Sequence, residues 1–228
     1  MSDARWDAVD AYVEQELIGE DAALSGAAQR SEREGLPPIA VSPAQGRLLY
    51  VLALSLGARR VLELGTLGGY STICLARALP GDGELVTVEL SERYAQVAAQ
   101  SIAEAGLADR VTQRVGPAAD VLAALVDERV QPFDLVLIDA DKKSTPTYFD
   151  LSLQLVRAGA TILVDNVVRS GAIADADSQD PGVIGMRLFH ELLAEHRDGS
   201  PRVSATTIQT VGAKGYDGFT LAYVHPEA

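Results

Sequence analysis

The stretch Val61-Leu-Glu-Leu-Gly-Thr-Leu-Gly-Gly-Tyr-Ser71 constrains the fold more than any other part of the chain. A short apolar run enters a cluster of glycines, and Tyr70, Ile73, Cys74, Leu75 and Ala76 then recur at helical spacing. The segment reads as strand, tight turn and helix. Gly65, Gly68 and Gly69 let the backbone turn sharply and come close to a ligand, while the helix that follows presents unpaired amides at its start. Thr66 and Leu67 separate Gly65 from Gly68, so the spacing is not the G-x-G-x-x-G of dinucleotide sites, and acidic Glu63 sits inside the strand end.

The flanking sequence makes this turn one unit of a larger alternation. Strands are predicted over 61–64, 84–89, 111–115, 133–138 and 160–164, the last two nearly all apolar and therefore buried on both faces. Helices are predicted over 70–79, from the Ser91 cap to about Gly106, around Val121, Leu122 and Leu125, and over 183–196. Two closing strands, 203–211 and 219–224, are joined by a segment bearing Gly212, Gly215 and Gly218, as in an antiparallel hairpin. The expected fold is α/β, a Rossmann-like doubly wound and mostly parallel seven-stranded sheet with an antiparallel edge hairpin. Ahead of it, residues 6–33 place Trp6, Val9, Val13 and Leu17 at helical spacing, giving one or two amphipathic helices that pack on the core, form a lid or make a dimer contact. After a break at Gly35-Leu-Pro-Pro38, Ser42 caps a helix with Pro43 at its first position and Gln45 three residues after the cap, ending at Gly57. We therefore expect a single domain, 1–228, with a helical extension over 1–38 and the core over 39–228.

Length and charge narrow the function classes. A chain of 228 residues suffices for one well-buried α/β domain. With 19 Lys and Arg against 32 Asp and Glu, the net charge of -13 opposes an electrostatic grip on nucleic acid or an anionic membrane. The lone cysteine, Cys74, excludes an intrachain disulfide, reads as a core thiol and fits a reducing cytoplasm. No apolar run approaches the ~20 residues of a membrane helix, and no apolar signal core follows Met1-Ser-Asp-Ala-Arg, so a soluble, cytoplasmic protein is expected.

In a doubly wound sheet, ligands bind beyond the carboxyl ends of the strands. Those ends carry Glu63, Glu89, Asp139 with Asp141 and Lys142, and Asp165 with Asn166. Glu89 closes the second strand, where a carboxylate accepts both ribose hydroxyls of a nucleoside. Asp139 and Asp165-Asn166 end neighbouring strands on this topology and converge two carboxylates and an amide oxygen on one point, a donor set suited to Mg²⁺, Ca²⁺ or Mn²⁺. Taken singly, each has a plainer role: Asp139 capping a loop, Asp165-Asn166 forming a turn. His190, His196 and His225 have no zinc-ligand spacing.

Glu63-Leu-Gly65 resembles the E/D-x-G signature of S-adenosylmethionine-dependent methyltransferases, in which the acidic residue helps to position the amino-acid end of the cofactor and the turn accommodates a neutral nucleoside. With Ser42-Pro-Ala-Gln-Gly46, Phe133-Asp-Leu-Val-Leu-Ile-Asp-Ala-Asp-Lys142, Asp165-Asn166, Ser170-Gly171 and Asp217-Gly-Phe-Thr-Leu221, the chain from about Ile39 onward resembles the class I, cation-dependent O-methyltransferases of the catechol and caffeoyl-coenzyme A type. The resemblance implies that Asp139, Asp165 and Asn166 are metal ligands. It implies that Val41, Glu63, Gly65, Ser71, Glu89, Ala118 and Asp141 bind S-adenosylmethionine and that Lys142 is the general base. It also implies a small aromatic diol as acceptor and a homodimer.

Two positions depart from that pattern. Thr145 stands where a Tyr is common, although Tyr148 is kept, and Arg169 stands where a Trp commonly walls the acceptor site. Tyr148 and Arg169 are candidate acceptor contacts; Arg169 either favours an anionic acceptor or points to solvent. The polar loop Ala174-Asp-Ala-Asp-Ser-Gln-Asp-Pro181 either closes over substrate or is solvated surface. The rival readings are a hydroxyuridine O-methyltransferase of transfer RNA, opposed by the bulk charge, and a nicotinamide-dependent oxidoreductase, opposed by the glycine spacing and the missing Ser/Tyr/Lys or His/Asp set. A non-catalytic module is opposed by the converging charges, which cost stability when nothing binds them.

Overall fold

A computed structural model describes residues 3–196 and 202–226. Two helices, α1 (Ala4–Val13, continued by a π turn at Glu14–Ile18) and α2 (Ala22–Arg33), precede α3 (Pro43–Ser55). The alternation then runs β1 (Arg60–Leu64), α4 (Tyr70–Ala78), β2 (Glu84–Glu89), α5 (Glu92–Glu104), β3 (Val111–Val115), α6 (Ala118–Asp127), β4 (Phe133–Ile138), α7 (Thr145–Leu155) and β5 (Val156–Asp165). α8 (Pro181–Glu195) leads to the strands β6 (Val203–Gly212) and β7 (Gly215–Val224). The sheet order is β3-β2-β1-β4-β5-β7-β6, parallel from β3 to β5 and antiparallel through β7 and β6. This is the expected doubly wound sheet with its edge hairpin. Order reverses between β1 and β4, and such a switch point opens a crevice for ligand.

Alternation along the central strands fills two separate cores. Leu62, Leu64, Val136, Ile138, Ile162 and Val164 face α6, α7 and α8, where Leu122, Phe149, Met186 and Phe189 are fully buried. Val61, Leu135, Leu137 and Leu163 face α3, α4 and α5 through Leu49, Ile73, Leu75 and Ile102. Strands buried on both faces explain the unbroken apolar runs in the sequence. Cys74 lies in this second layer, buried as expected, and burial pushes its thiol up to about 12, which leaves it inert as a nucleophile.

β7 begins at Gly215, four residues before its predicted start, and three further local features differ from expectation. α7 lies in a stretch for which no helix was predicted; Pro146 sits in its first turn, and Tyr148, Phe149, Ser152 and Leu153 are buried. β5 begins at Val156, four residues before its predicted start, because a register irregularity between Phe133 and Leu135 lets the exposed Arg157-Ala158 segment extend the strand. α1 buries none of its residues fully: Trp6 and Val13 are half-buried, but Val9 and Tyr12 are 59% and 67% exposed, so only part of its apolar spacing meets the rest of the chain. α2, by contrast, packs across α5, with buried Arg30 donating to Ser101 Oγ at 3.2 Å and pairing with Glu104. It also covers the glycine turn, where a Cβ on Gly68 would fall 1.9 Å from Ser31 Oγ. No helix among the described residues is long and apolar enough to cross a membrane.

Candidate active site

The site is built where β1, β2, β4 and β5 end together. Leu64 pairs with Ile138, and Ile138 with Val164, so Asp139 and Asp165 each stand one residue beyond the last paired positions of adjacent parallel strands. Register alone brings these carboxylates side by side. Gly65 makes the approach possible: its φ of +100° is left-handed, and a Cβ there would lie 2.0 Å from the Asp139 carbonyl oxygen. The Asp139 amide completes the junction by donating to Leu64 O at 2.9 Å.

Glu63 is wholly buried on the α4 side of β1. Its carboxyl group accepts hydrogen bonds from Ser71 Oγ at 2.6 Å, from Thr87 Oγ1 at 2.7 Å and from Thr72 Oγ1. Burial pushes its pKa up to about 7, against the pull of these three hydroxyls and reinforced by the charge of Asp139. Glu63 thus ties the strand to the first turn of α4 and holds Ser71 in place. Glu89, at the end of β2, accepts from the amides of Leu67 at 2.8 Å and Ser91 at 2.9 Å, so one carboxylate pins both the glycine turn and the cap of α5. Val41, on the segment entering α3, and Ala118, the first residue of α6, are both half-buried.

At β4 and β5 the charges interlock. Lys142 Nζ donates to Asp139 Oδ1 at 2.9 Å, and the lysine side chain is only 11% exposed. Asp165 is 4% exposed; burial first, and the neighbouring Asp139 second, push its pKa up to about 6, with Lys142 pulling the other way. Asn166 follows with a φ of +54°, a left-handed conformation that asparagine tolerates better than most residues. Among the described residues no group of three His, Cys, Asp or Glu side chains is gathered to hold a metal. The donor set is two carboxylates and one amide, all hard oxygens. It fits a divalent cation that keeps water or substrate in its remaining positions, whose charge would offset the repulsion between the two carboxylates that Lys142 offsets in part.

The sequence reading missed two residues that organise this corner. In the sequence Gln45 shows only a helix-cap pattern and a place in the Ser42-Pro-Ala-Gln-Gly46 motif. Ser42 Oγ does accept from the Gln45 amide at 3.2 Å, but the Gln45 side chain reaches across the site and donates from Nε2 to Asp165 Oδ2 at 2.5 Å. Asp217, on β7, accepts at Oδ1 from the amides of Val168, Arg169 and Gly218 at 2.9, 3.0 and 2.9 Å and so shapes the loop after Asn166. Both lie in motifs noted in the sequence, Ser42-Pro-Ala-Gln and Asp217-Gly-Phe-Thr, yet spacing gives no sign of a partner so far along the chain.

The remaining candidates fall around this centre. The Tyr148 hydroxyl donates to Asp141 Oδ2, and the Ser144 amide donates to Asp141 Oδ1 at 3.0 Å. Partial burial raises the Asp141 pKa, but these bonds outweigh it and hold the group below the usual carboxylate range. Tyr148 is buried, and burial together with Asp141 pushes it up to about 12, so its hydroxyl stays protonated and committed to Asp141. α8 presses directly on the lysine loop: a Cβ on Gly185 would lie 2.3 Å from the Lys142 carbonyl oxygen. His190 is satisfied by Met186 O and Thr207 Oγ1, each at 2.8 Å, and takes no part in the site.

Comparison with known proteins agrees with this geometry. The family described as O-methyltransferase matches residues 16–223. A catechol O-methyltransferase of Mycobacterium tuberculosis is 48% identical over 95% of this chain and 94% of its own length. The crystal structure of the O-methyltransferase TomG from Streptomyces achromogenes, involved in tomaymycin synthesis and solved with S-adenosylmethionine, superposes with a TM-score of 0.93 at 52% identity, covering 99% of this chain and all of that one. An O-methyltransferase from Bacillus cereus, solved with S-adenosylhomocysteine, gives a TM-score of 0.93 at 49% identity over 97% and 99% of the two chains. A Rossmann-like fold with this strand-end site defines a class I methyltransferase. The chain belongs to the O-methyltransferase family, and it is an S-adenosylmethionine-dependent O-methyltransferase.

Proposed function

We propose that the acceptor is a small aromatic molecule with two vicinal hydroxyls, one of which is methylated, and that a divalent cation, foremost Mg²⁺, is held by Asp139, Asp165 and Asn166. The observation that carries this reading is the meeting of Asp139, Asp165 and Lys142 at the ends of β4 and β5, beside the turn at Gly65. The names of the relatives from Mycobacterium tuberculosis and Niastella koreensis, both catechol O-methyltransferases, support the acceptor class. The cofactor found in the Streptomyces structure supports assigning Val41, Glu63, Gly65, Ser71, Glu89, Ala118 and Asp141 to S-adenosylmethionine.

A cation bound there supplies charge that acidifies a neighbouring hydroxyl and fixes it in place. The protein's own part is positioning and proton transfer. Lys142 Nζ, now an ammonium paired with Asp139, is freed when Asp139 is engaged elsewhere; once it has given its own proton to solvent, the neutral amine takes the hydroxyl proton. Glu63 and Glu89 hold the turn and Ser71 rigid, so the two reactants are kept in line at near-attack distance. Gln45 keeps Asp165 aimed at the same point. No nucleophilic side chain is required, in keeping with the inert Cys74. We further infer that the protein works in the cytoplasm as a homodimer, in which a second copy covers the exposed apolar side chains of Val9, Tyr12 and Leu17.

The test is transfer of labelled methyl from S-adenosylmethionine to a catechol and to bulk tRNA, each with Mg²⁺ and with EDTA. Labelling of the catechol that needs Mg²⁺ is expected. Labelling that survives EDTA removes the metal from the reading, and labelling of tRNA alone replaces the acceptor.

A further inference from the structure

Arg169 is a cation at this site that enters no ion pair among the described residues. Its backbone is held firmly, with the amide donating to Asp217 Oδ1 and a φ of +55° in the left-handed region. A Cβ built on Gly182 would lie 3.5 Å from Lys142 Cβ and 3.9 Å from Arg169 Nε, so the lysine and the guanidinium flank one point beside the first turn of α8. Arg169 Nε is fully buried and has no hydrogen-bond partner, and no ion pair among the described residues includes Arg169. The Asp180 carboxylate nearby caps α8 through Oδ1, accepting from the amides of Gly182 at 2.7 Å and Val183 at 3.0 Å, and makes no ion pair with Arg169. A helix start favours negative charge, so α8 does nothing to stabilise a cation there. A buried donor in a strained backbone, facing the positive end of a helix, is what remains when the missing partner is a ligand.

We propose that Arg169 receives an anionic ring substituent of the methyl acceptor, a carboxylate foremost, so that the preferred acceptors are dihydroxy aromatic acids. This rests on the reading of the site as a methyltransferase for vicinal diols. The planar guanidinium matches a carboxylate through two parallel hydrogen bonds, which an amide of the same shape cannot reproduce with charge. Lys142 on the other side of the same point works on the hydroxyl, and Arg169 sets which end of the ring lies away from it.

The experiment compares kcat/KM for 3,4-dihydroxybenzoate and its uncharged isostere 3,4-dihydroxybenzamide, in the full-length enzyme and in Arg169→Gln and Arg169→Lys. The expected result is a preference for the acid of about tenfold or more that collapses toward one in Arg169→Gln and is kept in part by Arg169→Lys. Dissociation constants for the two compounds, measured with S-adenosylhomocysteine bound, should show the same collapse. An acid-to-amide ratio near one in the parent enzyme, or a ratio unmoved by Arg169→Gln, overturns the proposal while leaving the diol reading intact. Turnover of neither compound overturns both.

Discussion

Gln45 and Asp165 meet at 2.5 Å between Nε2 and Oδ2, although one belongs to the first turn of α3 and the other ends β5. The bond spans the crevice and fixes which lone pairs of Asp165 face the site. Replacing Gln45 with Leu removes it while keeping the bulk. Groups that orient a metal ligand are typically worth about 10–100-fold in metal affinity or activity. If Asp165 holds the cation as proposed, the Mg²⁺ concentration for half-maximal methyl transfer should rise by about that factor, with the melting temperature little changed. An unchanged Mg²⁺ titration would show that Asp165 needs no help from Gln45.

Tyr148 donates to Asp141, so Tyr148→Phe leaves that carboxylate with Ser144, through its amide and its hydroxyl, as its remaining partner. Hydrogen bonds to charged groups contribute roughly 1.5–3 kcal/mol. If Asp141 contacts the cofactor, the Kd of S-adenosylhomocysteine rises by about tenfold in Tyr148→Phe, read by titration calorimetry. An unaltered Kd combined with a raised acceptor KM would move Tyr148 to the acceptor side of the site.

Glu63 makes stability depend on pH. Its folded-state pKa, about 7, lies above the ordinary 4.5, so the unfolded chain gives up this proton at lower pH than the folded one. The contribution is complete below pH 4.5 and is lost as pH rises through 7. Over that window the loss approaches ~3 kcal/mol by linkage. Asp165, raised to about 6, pushes the same way from its own ordinary 3.8. Urea unfolding at pH 5 and pH 8 should show a drop that is larger in the parent protein than in Glu63→Gln, and equal drops would refute the assignment. Bound cofactor would shrink the difference if its charge faces Glu63.

Gly65→Ala and Gly57→Ala separate strain from collision. Both glycines have positive φ, +100° and +58°, but a Cβ at Gly57 meets nothing within 4 Å, whereas at Gly65 it runs into Asp139 O. Gly57→Ala should lose about 1 kcal/mol, the usual left-handed cost. Gly65→Ala should lose several times that or fail to fold, because the β4 end must shift. Comparable melting temperatures for the two variants would refute the close approach.

The fold was legible where a single strand or helix carries its own pattern. β1 with its glycine turn, the buried run of β4 and the cap at Ser42 each announce themselves within about ten residues. The strand-end carboxylates were legible for the same reason, since a parallel sheet puts every strand end on one edge. α7 was not, because Lys143-Ser-Thr-Pro-Thr147 looks like loop and Ser144 makes no side-chain cap bond. α1 carries apolar spacing of which Trp6 and Val13 are only half-buried and Val9 is exposed, so periodicity named the helix but not what it touches. Gln45, Asp217 and the isolation of Arg169 exist only as long-range juxtapositions, and no local propensity encodes those.

The pairing of Leu64 with Ile138 and of Ile138 with Val164 also governs how this protein can change. Inserting or deleting one residue inside β4 or β5 would turn Asp139 or Asp165 from the crevice toward one of the apolar layers, and activity would vanish together with the core. Variation in length is tolerable only past the strand ends, in the segments that carry Arg169 and the acidic stretch 174–181. Lineages built on this scaffold are therefore free to alter what they methylate but not where the two strand-end carboxylates stand.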